Sequence, residues 1–126
     1  MKLNAVGITS KDFFETVRFY EMLGFQFPEV VPGEAHIESI NPNQAVRLMV
    51  DSVELIENLL GTKPLPSNHS HFAIECEGPV QVNLIARRIK DAGFVVMKEP
   101  WDAFWGQRYA VVRDPDGYMV DLYAKL

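Results

Sequence analysis

Two Gly-Phe pairs, Gly24-Phe25 and Gly93-Phe94, each close an amphipathic stretch that follows a short alternating segment, so the chain carries one plan twice. Such a duplication restricts the fold to two copies of a small sheet covered by its own helix. In the first copy, Leu3 to Ile8 sets Val6 and Ile8 on one face of a strand and Ala5 and Gly7 on the other. Ser10 or Asp12 caps the helix that follows, and Glu15 favours its dipole. Phe13, Val17 and Tyr20 recur at helical spacing, with Phe14 and Phe19 widening the apolar face, and the aromatic helix is expected to pack as core. Gly24 ends the helix and Phe25 to Phe27 begins a strand. Ala35 to Ile40 and Gln44 to Val50 supply two more strands, joined through Asn41-Pro42-Asn43.

Val53, Leu55, Ile56, Leu59 and Leu60 then predict a short amphipathic helix, and Gly61 to Pro66 a stiff linker. The second copy runs through a strand over His71 to Cys76 and a helix over Val80 to Ala92. Strands over Phe94 to Met97, Gln107 to Arg113 and Tyr118 to Ala124 complete it. Asp114-Pro115-Asp116-Gly117 is a strong turn between the last two. The expected fold class is α+β: two βαβββ modules, about 1–60 and 70–126 with a linker at about 61–69, forming one domain over 1–126. Helices cover the outer face, leaving the other face of a mixed sheet free to curve around something.

Composition excludes several functions. The fractions of 48% hydrophobic and 23% charged residues are those of an ordinary globular chain. A net charge of −5 leaves no basic footprint for nucleic acid. No apolar run approaches the roughly 18 residues of a membrane span, and the start lacks a signal peptide's apolar stretch. A cytoplasmic protein without a membrane partner is the expectation. Cys76 has no second cysteine to pair with. It alternates with core residues, as a small buried hydrophobe does.

Phe19-Tyr20-Glu21-Met22-Leu23-Gly24-Phe25 resembles the helix end of the vicinal oxygen chelate superfamily, which includes glyoxalase I, extradiol dioxygenases and bleomycin-resistance proteins. Trp105-Gly106-Gln107-Arg108, Arg113 to Gly117 and Val120-Asp121-Leu122 resemble its C-terminal signature. The resemblance implies a cup-shaped sheet of two paired modules, often completed by dimerisation. It also implies, in enzymatic members, one divalent metal held by a His on the first strand of each half and a Glu or other ligand on the last. The matching positions are Ala5, Arg47, His71 and Asp121. Ala5 has no donor and Arg47 brings a cation, so two ligands remain where a catalytic site takes three. No metal and no cofactor are expected.

Alternation places Arg47, His71 and Asp121 opposite the apolar layer and into the cup. Arg47 is then positioned to pair with Asp121 in place of the metal's charge, with His71 bonded to Asp121. The expected ligand-binding residues are Arg47, Met49, His71, Glu75, Trp105, Asp121 and Tyr123. No residue is assigned a catalytic role. His36 shares a strand face with Glu38, explained by an exposed sheet, and His69 reads as a solvated loop residue. Trp101 and Trp105 lie in a loop over Pro100 to Gly106, where they either plug a rim or seam or stack on a planar ligand; Trp105 is the better candidate for stacking.

The leading expectation is a metal-free binder of a small organic molecule, similar to drug-sequestering bleomycin-resistance proteins and so linked to antibiotic resistance. The alternatives are a metal-dependent lyase, isomerase or dioxygenase with a relocated site, and a structural dimer whose cup has filled with its own side chains. A homodimer is expected because half-units expose sheet edges that a twofold partner closes. Sedimentation at micromolar concentration checks it, and a clean monomer counts against it.

Overall fold

The structure, a computed structural model, describes residues 3–40, 46–64 and 71–126. The Asn41-Pro42-Asn43 turn, the start of the strand at Gln44, the linker end from Leu65, His69 and the side chain of His71 lie outside the described residues. The chain divides into two compact units, Met1–Pro66 and Ser67–Leu126.

In the first unit, β1 (Ala5–Ser10) leads into α1 (Phe13–Glu21), followed by β2 (His36–Glu38), β3 (Arg47–Ser52) and α2 (Val53–Leu60). Of the two candidate caps, Asp12 is the one used. Its Oδ1 accepts from the backbone N–H of Phe14 at 3.0 Å and of Glu15 at 3.3 Å. Ser10 supports it from behind, accepting the Asp12 N–H at 3.1 Å and hydrogen-bonding the Thr16 hydroxyl at 2.7 Å. Phe13, Thr16, Phe19 and Tyr20 are the buried residues of α1, whereas Phe14 is 56% exposed and does not join the core. The sheet runs β1-β3-β2, parallel between β1 and β3 and antiparallel between β3 and β2.

The expected strand at Phe25 to Phe27 is absent from that sheet. The Phe25 N–H instead bonds back to the Tyr20 carbonyl of α1 at 3.2 Å, and the Ile40 N–H donates to the Gln26 carbonyl at 2.8 Å. Pro28 follows at once, and without an N–H it cannot extend a ladder. α2 forms as expected, capped by Ser52 and ended by Gly61 at φ 72°, yet none of its residues is buried.

In the second unit, β4 (His71–Glu75), α3 (Pro79–Asp91), β5 (Val95–Ala103), β6 (Gln107–Arg113) and β7 (Met119–Lys125) build a sheet in the order β4-β7-β6-β5. Ala110, Val112, Val120, Leu122 and Ala124 line one face and are buried together with Val82, Ile85, Ala86 and Ile89 of α3. β5 corrects the loop expected at Pro100 to Gly106: the strand continues through Pro100 and Trp101 to Ala103. It can do so because β5 is an edge strand, where a missing N–H is tolerated, and two register shifts absorb the irregularity. The hairpin turn that follows pivots on Gly106 at φ 88°. Asp114 fixes the β6–β7 turn, its Oδ1 accepting from Asp116 N–H at 2.8 Å and Tyr118 N–H at 2.9 Å. Among the described residues, no helix is long and apolar enough to cross a membrane.

Candidate functional site

The face of the second sheet opposite α3 is set by cross-strand register. Glu75, Tyr123, Tyr109 and Trp101 form one row across four strands, and Ala73, Asp121, Val111 and Lys98 form the next. Asp121 sits in the middle of this face, only 9% exposed, between the fully buried Val120 and Leu122 of the opposite face. The Tyr109 hydroxyl donates to its Oδ2 at 2.7 Å, the diagonal contact between neighbouring antiparallel strands. Burial first, and that bond second, push the Tyr109 phenol up to about 12, so it remains a proton donor at any ordinary pH.

Around Tyr109 the aromatic side chains gather. Its ring lies 5.4 Å from Trp101 and 5.4 Å from Trp105, and the two tryptophans are 6.0 Å apart at 90°. Tyr123 stacks on the other side at 6.2 Å. The Trp105 indole N–H donates to Gln107 Oε1 at 2.9 Å, which fixes the ring at the hairpin. The Lys98 ammonium lies 5.1 Å from the centre of the Trp101 ring.

On the first sheet, Leu48 and Val50 are buried while Arg47 and Met49 occupy the opposite face. Met49 lies over Gly7, where a Cβ would stand 3.7 Å from its terminal methyl. Arg47 makes its ion pair inside its own unit: Nη1 donates to Glu38 Oε2, and Nη2 donates to Asn4 Oδ1 at 2.7 Å. His36 continues the chain of charges, with Nε2 3.1 Å from Glu38 Oε1 and Nδ1 2.6 Å from Asp51 Oδ1. A ring with a carboxylate at each nitrogen makes both bonds only as the imidazolium. The Asp51 and then the Glu38 bond raise the His36 pKa, and His36 and then Arg47 lower that of Glu38.

The clamp's contribution from His36 is fully present below the unfolded value of about 6.5 and is lost as pH rises through the raised folded value. Glu38 contributes above about 4.3, and its share is lost as pH falls through the depressed value. Stabilisation by this group is therefore expected to be complete between about pH 4.3 and 6.5, and modest because solvent screens it. An NMR titration is expected to place His36 above about 6.5, and H36Q should remove the pH dependence in that range. A midpoint at or below that value would show that the two carboxylates do not hold the ring.

The residues matching the superfamily's metal positions do not suit a divalent ion. Ala5 lies directly opposite Arg47 in the parallel register, so the first unit presents a methyl group and an ion-paired guanidinium. Among the described residues, no three His, Cys, Asp or Glu side chains are grouped to hold a metal. Of the expected site residues, Glu75, Trp105, Asp121 and Tyr123 share the second sheet and its hairpin, whereas Arg47 and Met49 belong to the first unit. The backbone of His71 lies in β4, opposite Met119. Sequence reasoning passed over Tyr109 and Lys98. The alternation of Tyr109 and Val111 with Ala110 and Val112 was the available signal for Tyr109; reading Pro100 as a break hid Lys98 and placed Trp101 in a loop instead of a strand. Cys76 is 6% exposed, and burial raises its thiol pKa, which suits a packing role.

Comparison with known proteins agrees with this architecture. The family model described as the Glyoxalase/Bleomycin resistance protein/Dioxygenase superfamily matches residues 2–122. No curated protein sequence matches significantly. A glyoxalase/bleomycin resistance protein/dioxygenase from Nocardioides is 24% identical at a TM-score of 0.75, covering 100% of this chain and 84% of its own. A glyoxalase-related enzyme from Fulvimarina pelagi is 17% identical at 0.84, covering 98% and 88%. Lactoylglutathione lyase from Agrobacterium tumefaciens is 15% identical at 0.70, covering 98% and 92%. At these identities the solved structures establish the fold, while the family model spans almost the whole sequence: the chain belongs to the glyoxalase/bleomycin resistance protein/dioxygenase superfamily.

Proposed function

We propose that the chain binds a small organic molecule on the aromatic face of its second sheet and acts by capture rather than turnover, without a resident metal. The observation that carries this reading is the gathering of Trp101, Trp105 and Tyr109 within 6.0 Å of one another beside the buried carboxylate of Asp121. Rings of this size offer a large apolar contact, and one fixed polar group orients what lies against them. Trp105 is 49% exposed, so part of its surface remains for a ligand.

Native mass spectrometry of freshly purified protein is the direct test, since a co-purified guest adds its mass to each chain. W105A is expected to weaken guest binding by about 1 kcal/mol, near a factor of five to ten, with the fold retained. Unchanged binding would move the site elsewhere. A metal-dependent lyase, isomerase or dioxygenase is the competing reading, and elemental analysis separates the two. No stoichiometric zinc, nickel, manganese or iron is expected; one metal per chain, lost on substitution of His71, would establish the enzyme reading.

A further inference from the structure

We propose that the ligand taken by this aromatic face is an organic cation, and that Lys98 is the built-in competitor for its place. The proposal rests on the reading of the second sheet as the binding face.

Lys98 enters the face at the bulge of β5, opposite Val111 and in the same row as Asp121. Its ammonium stands 5.1 Å from the Trp101 ring centre. Among the described residues no carboxylate lies within ion-pair distance of it, although five other cationic side chains, Arg18, Arg47, Arg87, Lys90 and Arg108, each have one. The ring is therefore what receives this charge. A Trp ring that holds a flexible, strongly hydrated ammonium can hold a less hydrated cation better, because the latter loses less solvation on approaching the π face. Trp105 stands at 90° to Trp101, and Tyr109 at 62° to Trp101 and 82° to Trp105. The three rings thus turn different faces and edges toward their surroundings, as a surface receiving the bulk of an alkylated ammonium requires.

The fixed charges point the same way. Asp121 occupies the centre of the face and Glu75 ends the aromatic row. An anionic ligand would approach a buried carboxylate and the negative faces of three rings, gaining Lys98 at the edge strand. Arg113 lies one row further along β6, opposite Met119. A cation gains the rings and the two carboxylates, and gives up only what it takes to displace one exposed side chain.

The test uses the intact chain, whose two tryptophans, Trp101 and Trp105, both lie at this site, so intrinsic fluorescence reports on it directly. Wild type, K98M and a control, K90M on α3, are titrated with phenyltrimethylammonium, its neutral isostere tert-butylbenzene, and benzoate. The expected result is preference for the cation in wild type and a further gain of about two- to thirtyfold in K98M, with K90M unchanged. Equal binding of the cation and its neutral isostere would leave the binding face standing and overturn the charge preference. Stronger binding of benzoate, lost in K98M, would overturn it in favour of an anion. A gain in K90M equal to that in K98M would reduce the effect to net charge and overturn the role of Lys98. No fluorescence response to any probe in any variant would sink both this inference and the reading on which it rests.

Discussion

F19A is expected to destabilise the protein by about 3–5 kcal/mol, read as a lower urea midpoint at unchanged slope. Phe19 has no exposed surface, and its ring meets Tyr20 edge-on at 5.0 Å, which in turn meets Phe25 at 5.8 Å. Deleting the ring removes its transfer energy and leaves a cavity that this aromatic chain cannot close without moving Tyr20. F14A on the same helix should cost under about 1 kcal/mol, because that side chain is 56% exposed. Comparable losses for the two variants would mean that α1 packs through a different face.

The second large effect is expected at the centre of the binding face. Y109F removes a donor to a carboxylate that is only 9% exposed, and hydrogen bonds to charged groups contribute about 1.5–3 kcal/mol. Asp121→Asn in the Y109F background should recover part of that loss, since the charge left short of a donor is gone. The coupling across the four proteins is the decisive number, because each single change also alters packing. Additive effects would show that the 2.7 Å contact has no energetic weight.

How much of this was legible depends on the range of the interaction. Period-two alternation is local, so the opposite faces of Leu48/Val50 and Arg47/Met49, and of Val120/Leu122 and Asp121, could be read from the chain alone. The doubled plan and the family resemblance were legible for the same reason. Partnerships between strands were not. Glu38 meets Arg47, and His36 meets Asp51, because β2 and β3 settle into one particular register, which no spacing within either strand specifies. On β7 a residue that bonds Asp121 comes from β6, and Tyr109 carried no mark beyond its place in the alternation. Local rules also failed where context overrode them. Pro100 reads as a break, but an edge strand accommodates it, and the strand's continuation brings Trp101 onto the face with Tyr109. Phe25 to Phe27 reads as a strand, but Phe25 bonds back to the Tyr20 carbonyl of α1 and Pro28 prevents a ladder from extending.

The irregularity of β5 has a consequence for the molecule's colloidal behaviour. Register shifts flank Lys98 on both sides, and Pro100 offers no N–H to an incoming chain. Lys98 and Glu99 add charge along the same stretch, with Glu99 tied to Lys90 at 2.6 Å. A border so bent, charged and short of donors makes a poor template for cross-β growth, even though it carries Val95, Val96 and Met97 at its start. Straightening it, as P100V with K98V would, is expected to give a protein that forms thioflavin-positive fibrils on gentle heating under conditions where the parent chain forms none.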